Sequence, residues 1–261
     1  MATACPTGFD AKRLRESVRT IYDRVAADPA TGFHFNVGLE YAVNLLHYDR
    51  RDLETLPKRA TARFAGVGNP HRIGPIPPGA TVVDIGSGAG ADLLIAALRV
   101  GPSGRAIGVD PNLAMRESVM ASARDAGLAD RVSTLDGISE SLPLPDGSAD
   151  VAISNGVLNL AMDKRKAVAE IHRVLRPGGK LYLADVFLDV QLRESERANS
   201  DLWAGCVAGA LREEELIEIA RQEGFKDCRI VERFRSFQGS QVEKKVSAKA
   251  GVHGANFSGV S

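Results

Sequence analysis

From Asp10 to Ala27 the apolar residues Leu14, Val18, Ile21, Tyr22 and Val25 recur every three or four positions, the spacing of a helix with one buried face. Asp28-Pro29 and Gly32 mark its stop. The helical period returns from Leu39 to Tyr48 and again from Leu53 to Phe64. Gly66, Gly68, Asn69, Pro70, Gly74, Pro75, Pro77, Pro78 and Gly79 then form a turn-rich linker, the natural boundary of a helical N-terminal cap.

Past the linker the pattern alternates between strand and helix. Val82 to Ile85, Arg105 to Val109, Arg131 to Leu135, Asp150 to Ser154 and Lys180 to Val186 read as strands. Between them, Leu93 to Leu98 opens a helix, Met115, Val119 and Ala123 give another its inner face, and Lys164 to Leu175 forms a further one. Such alternation predicts a mostly parallel sheet covered on both faces. From Leu188 onward the segments are more polar: Leu211 to Gly224 is an amphipathic helix stopped by Gly224, and Cys228 to Phe234 is a further strand. The Gly-rich stretch from Ser247 to Ser261 carries no pattern of either kind.

A chain of 261 residues with 44% apolar composition can bury roughly three quarters of its unfolded surface, enough for a core without disulfides or metal. Lys plus Arg equals Asp plus Glu at 33 each, so no net field draws in nucleic acid or an anionic membrane. No apolar run has the length of a signal peptide's core or a membrane span, and a cytoplasmic protein is expected. Cys5, Cys206 and Cys228 are far apart, with no spacing that suggests zinc or a redox couple.

The candidate chemistry starts at Thr81-Val82-Val83-Asp84-Ile85-Gly86-Ser87-Gly88-Ala89-Gly90-Ala91, where a strand breaks through spaced glycines into a helix. That turn offers backbone N–H groups at the positive end of a helix, a cradle for a nucleotide-like ligand. Asp110 closes the next strand, placed to accept hydrogen bonds from both hydroxyls of a ribose. Gly86, Gly88 and Ala91 satisfy the dinucleotide spacing, so these residues alone fit an NAD(P)-dependent oxidoreductase as well as a methyl-donor site.

Leu135-Asp136-Gly137-Ile138, the run from Leu142 to Val151, Ile153-Ser154-Asn155-Gly156, and His172-Arg173-Val174-Leu175-Arg176-Pro177-Gly178-Gly179-Lys180-Leu181 follow in order. Together they resemble the successive motifs of class I S-adenosylmethionine-dependent methyltransferases. Arg63-Phe64-Ala65-Gly66-Val67-Gly68-Asn69-Pro70, Ser154 to Leu160, Gly205 to Leu211 and Ala248 to Val252 are similar to the arsenite methyltransferase branch. The resemblance implies a Rossmann-like, doubly wound α/β fold with a seven-stranded, mostly parallel sheet. Residues 1–75 would form the helical cap, 76–190 the S-adenosylmethionine-binding domain, and 191–261 a segment that completes the sheet and walls the acceptor pocket.

Carried over by position, the resemblance implies that Asp84, Gly86, Ser87 and Gly88 approach the methionine portion of the donor and that Asp110 grips its ribose. Met115 and Ile138 would sandwich adenine, with Asp136 and Gly137 near its amino group. Asn155 would lie by the amino-acid end, and Tyr22 would close over it. The acceptor is expected to be a small molecule, with Cys206, Tyr22 and Asn159 as the catalytic set. Asn155 and Asn159 also suit turn caps, and Cys206 an inert buried thiol.

Trivalent arsenic is soft and binds thiolates, and in the family several cysteines hold it. Cys206 falls on one such position, but Gly156 stands where the family's Ser-Asn-Cys run has a second, and no cysteine occurs from Asn36 to Tyr48. A small thiol co-ligand would have to complete the grip. Alternatively the chain methylates a thiol, sulfide or selenium compound, or an O, N or C atom of a small organic metabolite, with Tyr22, His34, His47 or His71 to orient it.

Overall fold

The computed structural model describes Glu16, Thr20, Arg24, residues 36–190, Leu192, Trp203, and residues 206–240 and 251–261. The helix expected from Asp10 to Ala27 lies outside the described residues except at Glu16, Thr20 and Arg24, which are helical. Tyr22, His34 and Cys5 also lie outside them.

Strands β1 (Thr81–Ile85), β2 (Arg105–Val109), β3 (Val132–Leu135), β4 (Ala149–Asn155), β5 (Leu175–Phe187), β6 (Lys226–Phe234) and β7 (His253–Val260) form one sheet. Their order is β3-β2-β1-β4-β5-β7-β6. β1 to β5 run parallel, and β7 enters antiparallel between β5 and β6. Alternate residues serve opposite faces. Val83, Ile85, Leu181, Leu183 and Phe257 point toward α6 (Lys164–Val174) and α7 (Glu213–Gln222). Val82, Ile153 and Tyr182 point the other way, toward α4 (Ala91–Val100). Burial on both faces is why these strands read as apolar runs with little polar alternation.

α4 is buried along most of its length: every residue from Ala91 to Ala97 is buried, because the sheet lies on one side and the cap on the other. The cap consists of α1 (Leu39–Leu46), α2 (Arg50–Glu54) and α3 (Lys58–Ala62), which set Tyr41, Leu46, Leu53 and Ala60 against α4 and α5 (Leu113–Asp125). The single helix expected from Leu53 to Phe64 is two short ones. Pro57 has no N–H to continue the first and its ring excludes the preceding turn, so it sits at the start of the second.

Between cap and sheet runs Gly66-Val67-Gly68-Asn69, buried yet in no helix or strand. Buried peptide groups need partners, and here side chains supply them. Asn155 at the end of β4 accepts from the Val67 and Gly68 N–H groups at 2.7 and 3.2 Å and donates to the Gly68 carbonyl at 3.0 Å. Asn256 of β7 accepts from the Asn69 N–H at 3.1 Å and donates to its carbonyl at 2.8 Å. Tyr41 donates to the Gly66 carbonyl at 2.8 Å, and Ser236 to that of Val67.

β7 is the strand that the residue pattern hides. It has few β-branched residues because its surroundings forbid them: a Cβ on Gly254 would lie 1.9 Å from the Val67 carbonyl oxygen, and Asn256 is spent on Asn69. Replacing that buried amide by an apolar side chain strands two peptide groups of Asn69. Asn256→Leu is expected to cost about 2–4 kcal/mol, seen as a fall of about 5–15 °C in the thermal midpoint.

Candidate active site

Strand order reverses between β1 and β4, and a cavity of about 330 Å³ opens at the carboxyl ends of β1, β2 and β4. The turn from β1 into α4 forms its floor. Gly86 turns there with φ of +72°, and a Cβ on it would meet Val157 at 2.2 Å, so both backbone sign and space demand glycine. Gly88 and Gly90 follow with φ of +49° and +91°.

Asp110, at the end of β2, ties this turn in place. Its carboxylate accepts from the Gly88 N–H at 2.9 Å and from the Asn112 N–H at 2.8 Å, while burial pushes its carboxyl above the usual range. Met115 on α5, oriented by the Asn112 cap, lines the cavity with Val109, Pro111, Gly137 and Ile138, an apolar slot that suits a flat ring. Asp136 is not brought there. Its side chain is 72% exposed and pairs with Arg116 at 3.4 Å on the solvent side.

The opposite end of the floor is acidic. Asp84 is buried, and burial, followed by the charges of Asp92 and Asp110, raises its carboxyl well above the ordinary value. One of its oxygens, Oδ2, has no hydrogen-bond partner, and neither has the buried Ser87 hydroxyl; both residues line the cavity. Asp92, on the first turn of α4, also lines it and receives the Tyr48 hydroxyl at 2.6 Å and the Asn155 amide at 3.0 Å. Unpartnered buried acceptors call for a ligand with donors and positive charge. An α-ammonium group fits them, and ribose hydroxyls fit the Asp110 carboxylate.

Asn155 lines the cavity, but its amide is engaged by Val67, Gly68, Asp92 and Tyr48. Gly156, next along, also lines it. The Cys206 thiol lies behind, 3.5 Å from the Gly156 carbonyl oxygen, on a residue with left-handed backbone (φ +63°). Asn159 faces away from the cavity. It is buried, and its amide donates to Asp185 Oδ1 at 2.7 Å and to the Val186 carbonyl at 2.6 Å. Asp185, pushed up by burial to about 6, thereby anchors the turn that carries Leu160 to the wall.

Several lining residues have no site role among those expected from the sequence: Phe64, Ala65, Asp92, Glu140 and Met162. Glu140 holds the wall by accepting from the Met162 N–H at 2.8 Å and from Ser139 at 2.9 Å. For Asp92 the signal was available, as an acidic residue in the first helical turn after a glycine turn.

A family model described as a methyltransferase domain matches residues 76–231. The arsenite methyltransferase of Halobacterium salinarum is 36% identical over 194 residues, 73% of this chain and 48% of that one. That of Aquipseudomonas alcaligenes is 40% identical over 162 residues, 59% of this chain and 46% of that one. The chain thus spans about half the length of these curated relatives. Among solved structures, an arsenic(III) S-adenosylmethionine methyltransferase from Chlamydomonas reinhardtii superposes with a TM-score of 0.72 at 33% identity, covering 80% of this chain and 72% of that one. With the sheet order, the glycine turn and these likenesses in agreement, the chain belongs to the class I S-adenosylmethionine-dependent methyltransferases, in the arsenite methyltransferase branch.

Proposed function

We propose that this protein transfers a methyl group from S-adenosylmethionine to trivalent arsenic or a similarly soft, small nucleophile that brings thiol ligands of its own. The observation that carries the reading is that Gly156, backed by the Cys206 sulfur at 3.5 Å from its carbonyl oxygen, lines the same cavity as the glycine turn. Donor and acceptor ends thus share one enclosure.

A bound donor supplies a methyl on positively charged sulfur, and that charge disappears as the methyl leaves. The residues here have to align and to exclude water. The Asp84 oxygen and Ser87 hydroxyl take the amino-acid end, Asp110 takes the ribose, and Met115 with Ile138 takes the ring. Phe64, Val157, Leu160 and Met162 close apolar surface around the transfer path. Alignment of this kind contributes roughly 7–11 kcal/mol to lowering a barrier, more than a general base supplies, so a nucleophile with an available lone pair needs no strong base.

Among the described residues Cys206 is the thiol at this end, since Cys228 packs with Phe225 in the core on the α7 side. A Cβ on Gly156 would meet only Val67, at 3.6 Å, so the site has room there for an acceptor larger than a bare metalloid. A glutathione-like co-ligand suits that room.

Isothermal calorimetry should show S-adenosylhomocysteine binding in the micromolar range and no binding of NADH. Asp110→Ala should weaken it by about ten- to a hundredfold, one lost charged hydrogen-bond site. No binding at millimolar concentration sinks the donor reading.

In a donor-turnover screen, arsenite with glutathione should outpace sulfide, methanethiol, selenite and simple phenols. Cys206→Ser should then lower turnover at least tenfold; an unchanged rate removes the thiol from the acceptor site. Gly156→Cys puts a side chain on a left-handed backbone (φ +76°) and should cost about 1–2 kcal/mol of stability, yet it should lower the glutathione concentration needed for half-maximal turnover by placing a second thiol at the wall.

A further inference from the structure

Tyr48 lies in the cap between α1 and α2, fully buried and outside the cavity walls. Its hydroxyl nevertheless meets two side chains that do line the cavity. It donates to Asp92 Oδ1 at 2.6 Å and accepts from Asn155 Nδ2 at 3.2 Å. The same Asn155 nitrogen reaches Asp92 Oδ2 at 3.0 Å, closing a triangle of Tyr48, Asp92 and Asn155. His71 Nε2 stands 3.2 Å from Asp92 Oδ1, itself buried. Burial and the neighbouring Asp92 and Asp84 charges hold the phenol far above its ordinary value, so the hydroxyl stays protonated and remains a donor.

The triangle stands at the acidic end of the floor, beside the open Asp84 oxygen. Asp92 carries two roles there that conflict without help: a carboxylate close to Asp84 repels it, yet the cavity needs negative charge for an ammonium. A short hydrogen bond from a neutral phenol stabilises that charge without adding one of its own, and fixes which oxygen faces the cavity.

We propose that Tyr48 is a positioning residue for the methyl donor: its hydroxyl fixes Asp92 and Asn155, and through them the amino-acid end of the donor site, so that the helical cap sets donor affinity. The proposal rests on the donor reading above. Tyr48→Phe isolates the hydroxyl, because the ring keeps its packing on Phe64 (centroids 5.0 Å apart) and His71 (6.3 Å).

The test is calorimetry of S-adenosylhomocysteine on the wild type, Tyr48→Phe, Asp92→Asn and the double variant, with thermal melts of each. Tyr48→Phe is expected to weaken binding about tenfold, and the double variant to bind no more weakly than the poorer single one. Such non-additivity marks action through Asp92, which a general loosening of the fold would not produce. Affinity of Tyr48→Phe within twofold of wild type, or strictly additive losses, would overturn the proposal. A Tyr48→Phe chain that does not fold overturns the proposal as well, since the hydroxyl then serves the fold and not the donor site. A wild type that binds no S-adenosylhomocysteine overturns the donor reading and this proposal together.

Discussion

Four residues of irregular chain, Gly66 to Asn69, are pressed against the carboxyl ends of the sheet where no ladder can serve their peptide groups. A buried N–H or C=O left alone costs about 1–3 kcal/mol, so a stretch like this persists only if side chains are delivered to it from elsewhere. Asn155 comes from β4, Asn256 from β7, Tyr41 from α1 and Ser236 from beyond β6. Cap, parallel sheet and C-terminal hairpin are thereby fastened at one place. The cavity wall from Phe64 to Gly66 is the continuation of that fastening.

The balanced charge of the whole chain conceals a local imbalance. Asp84, Asp92 and Asp110 converge on the floor of the cavity, and burial raises the carboxyls of Asp84 and Asp110. A ligand carrying positive charge relieves their mutual repulsion, whereas a pyrophosphate would add to it. The acidic floor therefore separates a sulfonium nucleoside from a dinucleotide more sharply than the glycine spacing, which both share.

Most of the sheet was legible because its central strands are buried on both faces and punctuated by glycine turns. β1 and β2 fall where Val82 to Ile85 and Arg105 to Val109 placed them, give or take one residue. β7 was not, since its sequence answers to the cap that presses on it and not to a strand's own preferences. The cavity was legible where backbone conformation dictates residue type, at Gly86 and Gly88, and where a strand ends in a carboxylate, at Asp110. It was not legible at Asp136 and Asn159, because motif position does not tell which way a side chain turns: Arg116 draws one outward and Asp185 takes the other inward. Tyr48 was not legible, because its meaning lies in a contact with a residue 44 positions away, whereas Asp92 carried a local signal as the acidic residue in the first turn of α4.

Asn155 and Gly156 are adjacent, yet they belong to different economies of constraint. Asn155 is committed on every side, so its replacement disturbs strand, cap and floor at once. Gly156 is held to glycine by its left-handed backbone (φ +76°), but a Cβ there would meet only Val67, at 3.6 Å, so the space in front of it is open. The boundary between what this scaffold holds fixed and what it can vary thus falls across one peptide bond. The side chains that face the open space in front of Gly156 can therefore change without disturbing the hydrogen bonds that tie Asn155 to the donor end of the cavity.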